Sequence, residues 1–267
     1  ITEADIVICN FKQGAAEKFN LDYASLKILN SKLIYAQLNG FKSTPERVAF
    51  DVVLQAECGY MYMNGQTDSP PTKMPLALMD ILAAHQLKEG ILVALLKRTS
   101  TGQGSLVTTS LEEAAISSLA NQATNWLMNK KIPQRIGSLH PNIAPYGDVF
   151  ITKDNKEIVL AIGSNAQFQK FCSLIDEKEL SANQLYDTNE NRVKNRITLQ
   201  TELARLITNF ERDVLIDECI KNGIPMGAIK NMQEVFDSST AQNMILKEPI
   251  ENQITKRVKT IAFEINE

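Results

Sequence analysis

The chain has 267 residues, 44% apolar and 22% charged, with a formal net charge of −3 at pH 7. These values exclude a disordered chain, a collagen-like repeat and a small disulfide scaffold, and there is no basic excess of the kind nucleic-acid binding needs. At about 150 residues per domain the length predicts roughly two domains, enough to bury a core without metal or disulfide staples.

No stretch approaches the ~20 apolar residues of a membrane span. The densest apolar run, residues 90–96, ends at Lys97 and Arg98, and residues 114–129 are broken by Ser, Asn, Gln and Thr. The opening Ile1-Thr2-Glu3-Ala4-Asp5 lacks the basic and apolar regions of a signal peptide. Cys9, Cys58, Cys172 and Cys219 show no C-x-x-C spacing and read as reduced thiols of a cytoplasmic protein. With only His85 and His140, no metal site is expected, and no G-x-S-x-G elbow accompanies His140 to suggest a serine hydrolase.

In chain order, the β-branched run Ile6-Val7-Ile8-Cys9 predicts a strand of a parallel sheet. Short helices are expected at 15–19 and at 22–28, the latter capped by Asp22. A second strand follows at 32–36, so the segment reads as an α/β unit. Sheets of this kind bind ligands beyond the carboxyl ends of their strands, which makes the loop at 10–14 a ligand candidate. Residues 52–62 predict a helix, then a polar loop runs into Pro70-Pro71. Apolar residues at 81, 84, 87, 91 and 95 recur at helical spacing. A turn at 99–104, a strand at 106–109 and one long helix over 111–128 complete the first part. Residues 135–147 are irregular. A hairpin is expected over 148–162, with helices at 166–174, 192–208 and 212–222, the last stopped by Gly223. A helix and a strand-like tail end the chain. The fold class is therefore α/β, with an α/β domain over 1–134, a small α+β domain over 135–231 and a C-terminal segment over 232–267.

Among residues able to carry chemistry, Gly102-Gln103-Gly104 meets neither the dinucleotide nor the P-loop fingerprint and reads as a turn. Asp80 starts a long helix between two apolar runs, 76–79 and 81–84. It reads either as a first-turn carboxylate satisfying helix N–H groups or as a partly desolvated nucleophile or base. Asp51 allows the same two readings. Lys12, Lys18 and Arg47 are solvated charges or anion contacts.

Taken together, these stretches resemble the class III CoA-transferase family, which includes the α-methylacyl-CoA racemases. ADIVICNFKQG at 4–14 is similar to the family's A-D, three apolar, x-N-F-[RK]-P-G segment. Leu33-Ile34-Tyr35 with Gly40-Phe41, Phe50-Asp51 with Gln55-Ala56 and Gly59, and Thr101-Gly102-Gln103-Gly104-Ser105-Leu106-Val107 resemble three further signatures. His140-Pro141-Asn142-Ile143-Ala144-Pro145-Tyr146 and Gly223-Ile224-Pro225-Met226-Gly227 resemble two later ones. Asp80, ten residues before Gly90, falls where the family carries its nucleophile.

The resemblance implies an incomplete Rossmann-like large domain plus a small α+β domain, with residues 232–267 returning to the large domain. It implies that CoA moves from an acyl-CoA donor to a small carboxylic acid, through a mixed anhydride and then an aspartyl-CoA thioester on Asp80. Coenzyme A is then a substrate, and no resident cofactor is implied. The implied CoA contacts are Asn10, Phe11, Lys12, Lys18, Arg47 and Asp51; relatives often have Arg at the two lysine positions, which pairs phosphate differently. In formyl-CoA transferases a glycine-rich loop covers the aspartate; the matching region, with Gly137, Ser138, His140 and Asn142, lacks that glycine run. Racemases place a histidine immediately before the acid matching Asp51; here Phe50 stands there and cannot carry a proton. The alternatives are a racemase-like enzyme and a catalytically incomplete subunit that binds CoA esters. The absent starting Met and the family pattern predict that further residues supply the first strands. The resemblance also implies an interlocked homodimer when full length, with no nucleic-acid or membrane partner.

Overall fold

The run at 6–9 folds as a strand because its β-branched side chains fit a pleated, half-buried surface. In a computed structural model describing residues 1–12 and 14–266, the chain divides into two units, Ile1–Gly137 and Ser138–Glu267. The first unit runs β1 (Ile6–Cys9), α1 (Ala15–Lys18), α2 (Tyr23–Leu29), β2 (Ile34–Asn39), α3 (Asp51–Glu57), α4 (Tyr60–Met63), α5 (Leu78–Thr101), β3 (Ser105–Ser110), α6 (Leu111–Ser117) and α7 (Ala120–Asn129). Its sheet has the order β1-β2-β3, with both pairings parallel. Ile34 sits opposite Ile6 on one side and Ser105 on the other.

Local chemistry sets most boundaries. Asp22 caps α2, its carboxylate accepting from Ser25 N (3.1 Å) and from Ser25 Oγ (2.6 Å). The buried stripe of α5 is Met79, Ala83, Leu87 and Ala94, and its first two residues, Met79 and Ala83, pack into a cluster with Phe41, Leu54, Leu111, Ala114 and Ala115. Helix and sheet meet closely at Gly90, where a Cβ would stand 2.6 Å from Val107 Cγ1. Behind β2, a Cβ on Gly104 would lie 2.0 Å from the Leu33 carbonyl oxygen, and Gly104 N donates to Ser31 O (2.8 Å).

Three expected helices are each found as two. The helix over 52–62 is broken at Gly59, whose φ of +86° suits only a residue without Cβ. The helix over 111–128 is interrupted after Ser117, where the hydroxyls of Ser117 and Ser118 both donate to Ala114 O and compete with the helix ladder. Asn195 separates two helices within 192–208, its amide donating to Leu185 O (3.1 Å) and Asn191 O (2.9 Å).

The second unit contains β4 (Tyr146–Ile151), β5 (Glu157–Ala161), α8 (Asn165–Leu174), α9 (Lys178–Ala182), α10 (Asn189–Lys194), α11 (Arg196–Ile207), α12 (Arg212–Lys221), β6 (Met226–Ala228), α13 (Met232–Phe236), α14 (Ser239–Asn243), β7 (Ile245–Ile250) and β8 (Gln253–Val258). β4, β5 and β6 form an antiparallel sheet, and β7 and β8 a separate hairpin. Phe150, Ile158 and Leu160 from the sheet pack with Phe168, Phe171 and Leu203 from α8 and α11 in one core. Gly223 ends α12 with φ +66°, and Ile224 N reaches back to Cys219 O (2.8 Å). Among the described residues, no helix is long and apolar enough to cross a membrane.

The glycine geometry gives a paired test. Gly104→Ala drives a methyl into backbone and is expected to cost about 3 kcal/mol. Gly102→Ala, at φ +67° in open space, is expected to cost about 1 kcal/mol for the left-handed backbone alone. Urea unfolding of the two variants checks this; equal losses would contradict the close approach of 104 to 33.

Candidate active site

Past the carboxyl ends of β1 and β2 lies a cavity of ≈ 420 Å³. Asn10, Phe11 and Lys12 line it from the loop after β1, and Leu38, Asn39 and Gly40 from the end of β2. Arg47, Phe50 and Asp51 line it from the approach to α3, and Asp80 from the first turn of α5. Six of the residues singled out from the sequence, Asn10, Phe11, Lys12, Arg47, Asp51 and Asp80, therefore share one cavity. Gly40 allows the chain to cross itself here, since a Cβ would meet Ala49 Cβ at 2.2 Å.

The start of α5 has a particular construction. Ala77 is its N-cap and offers no side-chain acceptor. The missing acceptor comes from α3: Asp51 Oδ1 accepts from Met79 N at 2.8 Å. Asp51 thus does the capping that its position suggested, but for a helix 28 residues further on. Its other oxygen, Oδ2, accepts from Gln55 Nε2 at 2.6 Å. Gln55 is fully buried. Its Nε2 also donates to Leu76 O (3.2 Å), and its Oε1 accepts from Met74 N (2.7 Å). A single glutamine therefore ties Asp51 to the strand of backbone leading into α5. Asp80 stands three residues into the helix, and among the described residues no hydrogen bond or ion pair engages its side chain. Its carboxylate is unspent because a neighbour does the capping.

Electrostatics follow from this arrangement. Asp80 is raised above the usual carboxylate range, first by loss of hydration and second by the negative charge of Asp51. The shelter is nonetheless incomplete, because Asp80 is exposed. The apolar runs on either side suggested a dry pocket, but helical rotation sends Met79 and Ala83 into the core while Ile81 stays 44% exposed. The cavity is an open cleft with Asp80 on its wall.

The cations differ in their commitments. Arg47 pairs with both oxygens of Glu57, one contact at 2.8 Å, and lies over the Phe41 ring at 4.2 Å. Lys12 is exposed, and among the described residues no ion pair engages it. Lys18, at the end of α1, is exposed and does not line the cavity. Two residues escaped the sequence reading as site residues. Gln55 was visible only as part of a motif, with no sign that it would be buried. Asn39 ends β2 and lines the cavity, and its Oδ1 accepts from Gln37 Nε2 (3.2 Å).

The substrate-loop candidates fall in different places. Gly137 closes the first unit, its N–H donating to Gly65 O (2.9 Å) at a φ of +65°. Ser138, His140 and Asn142 belong to the second unit, where they are tied into their own loop. Ser138 Oγ donates to Gly147 O (2.5 Å), and His140 Nδ1 accepts from Asn142 N (3.1 Å). Arg196 donates to His140 O (2.7 Å), and Asn189 donates to Asn142 O (2.9 Å). The loop is held by side chains of α10 and α11.

The description "CoA-transferase family III" matches residues 1–266. The chain belongs to that family. It is 31% identical over 254 residues to the succinate–glutarate CoA-transferase of Agrobacterium fabrum, covering 94% of this chain and 63% of the relative. It is 31% identical over 244 residues to the succinyl-CoA:mesaconate CoA-transferase of Haloarcula marismortui, covering 89% and 60%. The chain thus spans somewhat under two thirds of these relatives. A CAIB/BAIF family protein from Brucella suis has a similar structure, with a TM-score of 0.80 and 34% identity over 98% of this chain and 73% of that one. The mixed α/β fold with a parallel sheet is the fold of the CoA-transferase family III neighbours.

The charge arrangement predicts a pH-dependent gain in stability. A carboxyl whose folded pKa is raised favours the folded state while protonated, and loses that contribution as pH rises through the folded value. Asp80→Asn is therefore expected to raise the melting temperature at pH 7, with the gain vanishing as pH falls below the ordinary carboxylate range. Asp51→Ala is expected to cost about 1–2 kcal/mol at neutral pH by removing the cap. Thermal melts across pH 3–8 check both signs; a loss on Asp80→Asn would contradict the assignment of Asp51 as the capping group.

Proposed function

We propose that the protein is an acyl-CoA:carboxylate CoA-transferase in which Asp80 is the nucleophile. The observation that carries this reading is the carboxylate of Asp80, uncommitted among the described residues, in a cleft that also presents Lys12, a cation with no ion pair among those residues. An Asp80 oxygen attacks the thioester carbonyl carbon, the C–S bond breaks, and CoA leaves as the thiolate with a mixed anhydride behind it. The thiolate attacks the Asp80 carbonyl, expelling the donor acid and leaving an aspartyl-CoA thioester. An acceptor carboxylate then attacks that thioester, and the released thiolate takes the acyl group of the acceptor, restoring Asp80. No net proton is moved, so the cycle needs no acid–base partner. Covalent passage divides one hard transfer into easier ones.

Lys12, exposed at the cleft, takes a phosphate of CoA as a charge-assisted contact in this reading. Asn39 offers an amide donor to oxyanions that form at the reacting carbon. The names of relatives point to dicarboxylates as the acids exchanged, since succinate, glutarate and mesaconate each carry two carboxyl groups. Racemisation is disfavoured by two observations. Phe50 lines the cavity where a proton carrier is needed, and both oxygens of Asp51 accept hydrogen bonds within the fold. The free thiols Cys9, Cys172 and Cys219 are buried, and burial pushes Cys172 and Cys219 up to about 12. These inert thiols support a reading as a cytoplasmic protein. The reading also carries the homodimer of the family.

Brief incubation with succinyl-CoA, quenching with hydroxylamine and peptide mass spectrometry is expected to place a hydroxamate on Asp80. Normal CoA binding with no adduct would instead support a binding subunit, and exchange of the α-hydrogen with deuterated water would revive racemisation. Asp80→Asn is expected to lower transfer by at least about a thousandfold. Lys12→Ala is expected to raise KM for acyl-CoA about tenfold with kcat nearly unchanged, the value of one charge-assisted contact; initial-rate kinetics check this split.

A further inference from the structure

We propose that Gln55 is a positioning residue for the reaction: it fixes the Asp51 carboxylate on the first turn of α5 and thereby keeps the Asp80 carboxylate free for the thioester. The inference rests on the reading of Asp80 as nucleophile and goes beyond it, because Gln55 touches neither substrate nor the reacting atoms.

The geometry leaves Gln55 little freedom. A buried amide must satisfy both its ends. Here Oε1 takes the Met74 N–H at 2.7 Å, which commits Nε2 to face the other way. Nε2 meets three acceptors, Asp51 Oδ2 at 2.6 Å, Leu76 O at 3.2 Å and, more distantly, Met74 O at 3.5 Å. The amide cannot be flipped without setting its oxygen against a carboxylate and a carbonyl. Asp51 is thus held from one side by Gln55 and from the other by Met79 N. The two residues lie four apart on α3, the spacing at which side chains meet on one helix face.

Removing Gln55 leaves Asp51 with one tether in place of two. The orphan N–H groups at the start of α5 then lose a fixed acceptor, and Asp80, in the same first turn, is the nearest acid able to turn back toward them. A carboxylate that caps its own helix is hydrogen-bonded and a poorer nucleophile. Gln55 therefore decides which of two acids caps and which reacts. The charged side chains lining the cavity are Lys12, Arg47, Asp51 and Asp80 itself, and Glu57, outside the lining, pairs with Arg47.

Two substitutions test this. Gln55→Met keeps the length and removes all of these hydrogen bonds. It is expected to slow Asp80 labelling by succinyl-CoA about ten- to hundredfold while leaving KM for succinyl-CoA unchanged. Gln55→Glu should be impaired at neutral pH, where its carboxylate faces that of Asp51. It should recover as pH falls, because a protonated carboxyl can donate to Asp51 while its other oxygen accepts from Met74 N. A purely structural glutamine predicts no such acid-shifted recovery of kcat. If Gln55→Met does not fold, the pH profile of Gln55→Glu carries the test. The titration of the Asp80 carboxyl, followed by carbon NMR, gives a readout independent of turnover. Its midpoint is expected to fall toward the ordinary carboxylate range in the methionine variant. Labelling at the wild-type rate with an unshifted titration would overturn the role of Gln55. Absence of any adduct on wild-type Asp80 would overturn the nucleophile reading instead, and the titration would still decide whether Gln55 controls Asp80.

Discussion

The acceptance of the Met79 N–H by Asp51 is the contact on which the site depends. A helix that begins at an alanine has no acceptor of its own for its first N–H groups. An acid in the first turn would ordinarily fill that need. Because Asp51 fills it from another helix, Asp80 keeps a carboxylate unpaired among the described residues at the positive end of a 24-residue helix. The same contact places a second negative charge nearby, which works against ionisation of Asp80. On the proposed reading of Asp80, stability and reactivity are thus set against each other at one pair of acids, as is common where a site holds a group in an unfavourable environment.

The fold supplies the place and the tolerances. Parallel strands bring the loop after β1 and the end of β2 to one edge, and α5 delivers Asp80 to that edge. Glycines at 40, 90 and 104 let the chain close onto the Ala49 side chain, the Val107 side chain and the Leu33 backbone. The second unit organises its own loop around polar side chains. Arg192, fully buried, donates to Ala144 O, Tyr186 O and Asn165 Oδ1 and lies over Phe168. A charge buried that deeply is tolerated because its donors are met. With Asn189 and Arg196 it fixes the backbone of 140–144 from one side.

Much of this was legible in the sequence, for reasons that differ by residue. The parallel strand at 6–9 announced itself through β-branching, and the loop beyond it by its position after a strand. Asp22 and Gly223 were readable because capping and helix stopping are local. The burial of Gln55 and the transfer of the Asp51 cap to a distant helix were not readable, because they depend on which helices pack together. The exposure of Asp80 was hidden for a related reason. Apolar neighbours in sequence suggest shelter, but on a helix residues 79 and 80 point about 100° apart. The breaks at Gly59, Ser118 and Asn195 were missed because helical periodicity continues across them. Lys18 matched a family position, yet it lies outside the cavity.

The most direct test of the account follows oxygen. A single turnover of succinyl-CoA with glutarate labelled by heavy oxygen in its carboxyl groups should leave one labelled oxygen on the enzyme, because the bridging oxygen of the second anhydride stays with the aspartate. Peptide mass spectrometry is expected to find that oxygen on residue 80 and none on residue 51. Formation of glutaryl-CoA with residue 80 unlabelled would contradict the account.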